Sequence, residues 1–418
     1  MKILHVSFSD IDGGASVSAY RLCLAQRAAG LDACMFVAKK LTDHDWVYEH
    51  PRLKFRAIRY LKNQAEKLWV KIKTSRLTPQ FSFAQISSGL RVFVDDIKPD
   101  IINLHWTNGG LSSPRDLAEL KGYPVVWTLH DMWSFTGGCH YSYDCKGYVK
   151  SCGECPQLVG NDTITAKHIT EKKTCFEDLN LYVVAPSTWL TRSASESNVL
   201  GGFPSLTIPY GIDHRVFKPE RRDAGRKALR LNSNDLVVLF GAVGGVSDSR
   251  KGFDLLIEIL NASINTLESQ AVKLIVFGQD SELNLPNSLG NLNVIQTGHI
   301  SDPNLLAEIY AAADVFLCPS RADNLPNTVI ESLSCGTPCV AFSVGGLSDQ
   351  VVPGISGYLA EAYDTSKMAQ NLEKILLSTE KEKSLLRRSS RIFALENYSP
   401  QLNCQRYKEL YQSILSTK

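Results

Sequence analysis

Pro319-Ser320-Arg321-Ala322-Asp323-Asn324-Leu325-Pro326-Asn327-Thr328-Val329-Ile330-Glu331-Ser332-Leu333-Ser334-Cys335-Gly336-Thr337-Pro338 links two short β-rich runs, Val315–Leu317 and Pro338–Phe342. Pro326 suits a first helical turn, where its missing N–H costs nothing, and Gly336 suits the far end, where a left-handed residue closes a helix. Asp323 therefore falls on the loop before a helix and Glu331 inside it. A helix start in this place turns free N–H groups and a positive dipole end toward an anionic ligand.

The same grammar extends in both directions. Leu236–Phe240, Lys273–Phe277 and Val294–Gln296 read as further strands on the N-terminal side of that stretch, and Ile3–Phe8, Ala33–Val37, Ile101–Leu104, Val125–Leu129 and Tyr182–Ala185 form an earlier series. Strands separated by helices imply parallel sheets with right-handed crossovers. The first helix carries Val17, Tyr20, Leu24 and Ala28 at helical spacing and stops at Gly30. Between the two series, Thr207-Ile208-Pro209-Tyr210-Gly211-Ile212-Asp213 and Phe217-Lys218-Pro219 have the glycine and prolines of a hinge. The expected fold class is α/β, with two doubly wound Rossmann-like domains, 1–208 and 209–398, facing across a cleft. Such sheets bind ligands at the carboxyl ends of their strands.

Bulk properties agree. The 418 residues are enough for two full cores, and 44% apolar with 21% charged residues is ordinary globular composition. A net charge of +2 gives no reason to expect nucleic acid as a partner. No apolar run approaches the ~18–20 residues that cross a bilayer. Met1-Lys2-Ile3-Leu4-His5-Val6 reads as a buried first strand, since Asp10, Asp12 and glycines follow it where an export signal would continue. Seven of eleven cysteines sit singly in apolar patterns (Cys23, Cys34, Cys175, Cys318, Cys335, Cys339, Cys404), as reduced core thiols do. The expected compartment is the reducing cytoplasm.

The segment 319–338 resembles the signature of retaining glycosyltransferases of family 4, with its E-x7-E spacing between a Pro-Ser and a Cys-Gly-x-Pro. Here Asp323 replaces the first glutamate. Tyr210-Gly211-Ile212-Asp213, Arg250-Lys251-Gly252, Phe277-Gly278 and Thr128-Leu129-His130-Asp131 extend the likeness over nearly the whole chain, and Trp127–Pro156 is similar to a subgroup found with exopolysaccharide and cell-surface glycan genes. The resemblance implies the GT-B fold, with 399–418 packing back on the first domain. It also implies hexosyl transfer from a UDP- or GDP-sugar, with retention and without a catalytic metal. Tyr407, Leu410, Tyr411 and Ile414 give that last segment helical spacing.

The resemblance also distributes roles. Lys251, with Arg250, takes the diphosphate, where negative charge gathers as the nucleotide leaves. Asp323 and the backbone around Asn324 and Leu325 hold the donor sugar, Gly278 lies on the donor side, and Glu331 takes the ribose hydroxyls. His130 stands beside the transferring sugar, and Asp131 is placed to orient its imidazole; a satisfied structural histidine is the alternative. The family usually has arginine after the glycine at 241, but this chain has Ala242, so Arg250 is expected to substitute across the 243–249 loop. Gly13 and Gly14 let backbone approach a phosphate or acceptor closely, or simply make a tight turn.

Two features stand outside that signature. Cys139, Cys145, Cys152 and Cys155 are spaced as a candidate structural zinc site, with reduced packed thiols or two disulfides as the alternatives. From Arg52 to Arg76, nine basic residues face one acid, Glu66, and interleave with Phe55, Ile58, Leu61, Leu68, Trp69 and Ile72. That pattern suits a helix lying on an anionic membrane, or a solvated helix face. The membrane reading makes the protein peripheral on the inner face of the plasma membrane and its acceptor a lipid-linked glycan. A nucleotide-sugar epimerase or glycogen-type synthase of the same fold, or a non-catalytic GT-B scaffold, are the competing functions.

Overall fold

The computed structural model describes the chain except residues 51–52, 74–80, 86–88, 160–162, 242–247, 264–265, 268–271, 279–282, 284–285, 287–288, 290–291 and 418. It divides into two compact units, Met1–Gly211 with Pro400–Lys418, and Ile212–Ser399.

Seven strands make the first unit's sheet: β1 (Lys2–Ser9), β2 (Asp32–Lys39), β3 (Val47–Glu49), β4 (Ile101–Leu104), β5 (Pro124–Thr128), β6 (Asn180–Ala185) and β7 (Ser205–Thr207). Their order is β3-β2-β1-β4-β5-β6-β7, and every pair is parallel. Ile3, Leu4, Val6, Ile101, Ile102, Val125, Val126 and Val183 are fully buried, as expected of strands covered on both faces. The edge strands β3 and β7, three residues each, are too short for alternation to reveal them.

The helix Gly14–Ala28 corrects its expected face. Leu24 is exposed, and the buried residues are Ser16, Ser18, Ala19, Leu22, Cys23 and Gln26. Small side chains allow close packing here, and Gln26 is drawn inward by hydrogen bonds. Its Oε1 lies 2.8 Å from His5 Nε2, and its Nε2 donates to the Tyr411 hydroxyl at 3.4 Å. The helix Pro400–Ser416 completes this unit by burying Tyr407, Leu410, Tyr411 and Ile414. Asn103 Nδ2 donates to the Tyr411 hydroxyl at 2.7 Å, and the Tyr407 hydroxyl pairs with Thr128 Oγ1 at 2.9 Å, so both phenol tips are satisfied.

The second unit repeats the plan with β8 (Leu236–Gly241), β9 (Val272–Phe277), β10 (Asn293–Gly298), β11 (Val315–Cys318), β12 (Cys339–Phe342) and β13 (Gly357–Ala360). The order is β10-β9-β8-β11-β12-β13, again parallel throughout. Helix Asn327–Ser334 joins β11 to β12. Just before β11, the buried Asp314 carboxylate receives Arg387 at 2.6 Å, Arg222 at 2.8 Å and the Val237 N–H at 2.8 Å. Burial would raise its pKa, but the Arg387 and Arg222 charges hold it below the usual carboxylate range.

Both sheets reverse their winding once, between β1 and β4 and between β8 and β11. At such a switch point the crossover helices depart to opposite faces and leave a crevice at the strand carboxyl ends. Gly13 and Gly14 follow β1, and His105 follows β4. Arg250 and Lys251 follow β8, and Asp323 follows β11.

Candidate functional site

In the second unit, the turn Ser249–Lys251 ends at Gly252, whose φ is +70°. A Cβ at 252 would run into the Pro319 carbonyl oxygen, so glycine is what lets the basic turn lie against the loop after β11. There Lys251 Nζ donates to Asp323 Oδ2 at 2.6 Å, and Arg250 Nη1 is 3.3 Å from the same oxygen. Arg250 also donates to Asp248 at 2.9 Å and to the Ala322 carbonyl at 3.1 Å. The Asn324 N–H reaches Asp323 Oδ1 at 3.2 Å. Asp323 is 6% exposed; burial pushes its pKa up, and the Lys251 and Arg250 charges more than offset this, holding it ionised below the ordinary range. Two cations therefore balance two carboxylates, Asp248 and Asp323, and the pocket is closer to neutral than the sequence pair Arg-Lys implies.

Glu331 is buried inside helix Asn327–Ser334, where the Tyr310 hydroxyl donates to its Oε2 at 3.0 Å. Asn324 and Leu325 are buried beside Asp323 in the chain. Gly278, at φ +85°, closes β9 and donates its N–H to the Gly298 carbonyl at 2.8 Å. Ala242 and the first part of the 243–249 loop lie outside the described residues, as do Arg52, Arg76 and the side chains of Lys54, Arg56, Arg59, Lys62 and Lys71.

In the first unit, His130 follows β5 and both its ring nitrogens are engaged. Its Nε2 is 3.1 Å from His105 Nδ1, and its Nδ1 is 2.7 Å from the Tyr210 hydroxyl. His105 Nε2 is in turn 2.9 Å from His5 Nδ1, and His5 reaches Gln26. Burial lowers the pKa of His5 and of His130 to about 4 and that of His105 well below its ordinary value, so the row is neutral at pH 7. Asp131 does not orient His130. It accepts from Trp106 Nε1 at 2.9 Å and the Trp133 N–H at 2.9 Å, and pairs with His140 Nδ1 at 2.6 Å, because the loop folds back to present His140. Gly13, at φ +87°, caps helix Gly14–Ala28 and turns the chain out of β1.

His5, His105, Gln26, Tyr210 and Tyr310 were not singled out from sequence as site residues. Each sits alone among apolar or unrelated neighbours, and the first three meet only when β1, the end of β4 and helix Gly14–Ala28 pack together. Cys139, Cys145, Cys152 and Cys155 are all free and line one pocket of about 330 Å³ empty volume. Among the described residues, no group of three or more His, Cys, Asp or Glu side chains stands ready at metal-ligand separation.

Two parallel doubly wound units, each with polar groups gathered at its switch point, have the architecture of the GT-B fold. Residues 237–378 match the family described as "Glycosyl transferases group 1", so the Lys251–Asp323 pair and Glu331 lie within a glycosyl transferases group 1 segment. A D-inositol 3-phosphate glycosyltransferase from Actinosynnema mirum is 32% identical over 298 residues, 67% of this chain and 64% of its own. Its counterpart from Catenulispora acidiphila is 27% identical over 291 residues, 66% and 64% respectively. The chain thus spans under two thirds of these relatives' length. Among solved structures, sucrose-phosphate synthase from Thermosynechococcus elongatus aligns over 100% of both chains with TM-score 0.69 and 18% identity. Anabaena HepE in complex with UDP-glucose aligns over 99% of this chain and 100% of its own, with TM-score 0.64 and 16% identity. These likenesses fix the fold.

Among the described residues, no helix is long and apolar enough to cross a membrane.

Proposed function

We propose that the protein is a retaining, metal-independent glycosyltransferase that moves a hexose from a nucleotide-diphosphate sugar to a lipid-linked glycan. One observation carries the reading: Lys251, Arg250 and Asp323 meet at the switch point of the second sheet, inside the segment that matches glycosyl transferases group 1. An arriving diphosphate competes with Asp323 for Lys251. As Lys251 turns to the phosphate, the Asp323 carboxylate becomes free to accept a sugar hydroxyl, so donor binding itself exposes the sugar contact. Lys251 and Arg250 then stabilise the charge that develops on the leaving diphosphate. Glu331, held by Tyr310, accepts the ribose hydroxyls. His130 Nδ1 exchanges the Tyr210 hydroxyl for one of the transferring sugar.

A donor panel tests this. Incubation with UDP-, GDP- and ADP-sugars and a mixed glycan acceptor should release nucleotide with one donor, with the product anomer unchanged by NMR. Lys251→Ala and Glu331→Gln should each abolish turnover while the protein still melts cooperatively. Absence of any thermal shift with nucleotides, or full activity in both variants, overturns it.

The acceptor side draws on helix Leu53–Lys73. It docks through Asn63, whose Nδ2 donates to the Gly109 carbonyl at 2.7 Å, through Glu66, which accepts the Phe83 N–H at 2.7 Å, and through Trp69 packed edge-on against Phe83. The lone acid of the segment is thus used in docking. Leu61, Leu68 and Ile72 lie on another face, each at least 60% exposed. An exposed apolar stripe in a run of nine basic residues suits an anionic bilayer, with about 1 kcal/mol per cation. Flotation with phosphatidylserine vesicles should carry wild type and leave a Leu61→Ser/Leu68→Ser/Ile72→Ser variant behind; equal flotation, or none for either, removes the membrane reading.

A further inference from the structure

The loop between β5 and helix Ile164–Phe176 brings Cys139, Cys145, Cys152 and Cys155 to one pocket, shared with Phe81, Thr136 and Gly137. A Cβ at Gly147 would stand 3.3 Å from Cys145 Sγ and 3.7 Å from Cys152 Sγ, so those two sulfurs flank a common point beside Gly147. A backbone donor is aimed at one of the sulfurs: the Gly147 N–H, two residues beyond the cysteine, donates to Cys145 Sγ at 3.3 Å. An N–H turned onto sulfur contributes little to a neutral thiol, a weak acceptor, and much more to a thiolate.

Lys172, buried on the helix that follows this loop, donates from Nζ to the carbonyls of Trp133 and Thr136, the latter at 2.9 Å, and so ties down the wall of the pocket to which Thr136 belongs.

We propose that Cys139, Cys145, Cys152 and Cys155 form a structural four-thiolate zinc site that holds the loop carrying Asp131 and His140. The pocket is apolar and small, which suits a closed tetrahedral site with no position for substrate. A thiol binds the ion as thiolate, so metal entry displaces protons and affinity falls as pH falls. The thiols close on the ion by side-chain rotation, since they are not yet at ligand separation. The proposal is independent of the donor chemistry in the second unit.

Full-length protein purified under reducing conditions without chelator should contain roughly one zinc per chain. Mercurial titration of wild type in the presence of a metallochromic dye should release it after the clustered thiols react. Cobalt replacement should give the absorption of a tetrahedral thiolate complex. Cys145→Ser and Cys155→Ser should lower both metal content and melting temperature, with wild type after metal removal regaining its melting temperature on adding zinc but not magnesium. Should those variants fail to fold, the wild-type titration and cobalt spectrum decide alone. Metal-free wild type whose four thiols alkylate at the same rate with and without zinc overturns the proposal, as does a mass lower by four hydrogens from two disulfides.

Discussion

Replacing His105 with phenylalanine tests how the first unit holds its histidines. The chain Gln26–His5–His105–His130–Tyr210 is continuous, with separations of 2.8, 2.9, 3.1 and 2.7 Å. With Gln26 Oε1 toward His5, the proton on each neutral ring is determined: His5 Nε2–H donates to Gln26, His105 Nε2–H to His5, and His130 Nε2–H to His105. His130 Nδ1 is left as the acceptor of the Tyr210 hydroxyl. His105→Phe keeps the apolar volume but strands an acceptor on His5 and a donor on His130, both buried. At ~1–3 kcal/mol for each stranded group, the loss is about 2–6 kcal/mol, a large part of a domain's typical ~5–15 kcal/mol. His105→Gln, which can both donate and accept, should recover part of it. Nitrogen-15 NMR of the imidazoles should show Nε2–H at His130 in wild type and a mixture in the phenylalanine variant. The row also carries a pH signature. Burial depresses the folded pKa of His5 and His130 to about 4, below the unfolded ~6.5. The unfolded state therefore binds more protons below pH ~6.5, so this stability is complete above that pH and drains as pH falls toward 4. His105→Phe, with one fewer buried imidazole, should show a shallower acid slope between pH 6.5 and 4. An Nδ1–H tautomer at His130 in wild type would refute the proton assignment, and an unchanged melting temperature in the variant would refute the energetic one.

Asp323→Asn should bind free nucleoside diphosphate more tightly than wild type by calorimetry, because Lys251 and Arg250 lose their competing carboxylate, while sugar transfer falls at least ~100-fold; weaker binding would mean that Asp323 organises the basic turn instead of competing for it. Gly252→Ala forces a side chain into left-handed backbone and against the Pro319 carbonyl, and should cost more than ~1–3 kcal/mol and weaken nucleotide binding in the same thermal-shift assay. Asp314→Asn leaves Arg222 and Arg387 without their shared carboxylate, so the second unit should lose ~3–5 kcal/mol in urea unfolding. In wild type, the depressed Asp314 pKa makes that contribution complete above the unfolded pKa near 4 and lost as pH drops through the lower folded value; a variant as stable as wild type at pH 7 contradicts it.

Strand positions were legible because both faces of these sheets are covered, which makes each buried strand a short apolar run between polar turns. Ile101–Leu104 was read to the residue, and most others to within one or two. The edge strands Val47–Glu49, Ser205–Thr207 and Gly357–Ala360 escaped because three or four half-covered residues carry no period. The first helix misled for the opposite reason. Leu24 lies outward, and apart from Leu22 the helix's inward face is made of Ser, Ala, Cys and Gln, whose value lies in close approach and hydrogen bonding. Asp131, adjacent to His130 in sequence, spends its carboxylate on Trp106, the Trp133 N–H and His140, which returns from nine residues on. Partnerships of that kind depend on loop closure, which no local pattern encodes.

The two switch points solve different electrostatic problems. In the first unit, three buried imidazoles stay neutral because burial, the largest influence on each, lowers their pKa values. In the second, Asp323 is as deeply buried yet stays charged, because two cations stand within 3.3 Å of one of its oxygens. A neutral row can exchange a hydroxyl partner at His130 without moving charge through a low-dielectric interior, which suits contact with a sugar. A charged and balanced cluster attracts an anion less than a bare basic turn would. In the proposed reading a diphosphate draws Lys251 from Asp323, and the shortened acid makes that displacement easier than a glutamate with one more methylene to follow the retreating ammonium. Asp323→Glu should accordingly weaken nucleotide affinity while keeping transfer measurable. If it instead tightens binding, the acid and the phosphate are not rivals for Lys251, and the donor must enter by another arrangement of the basic turn.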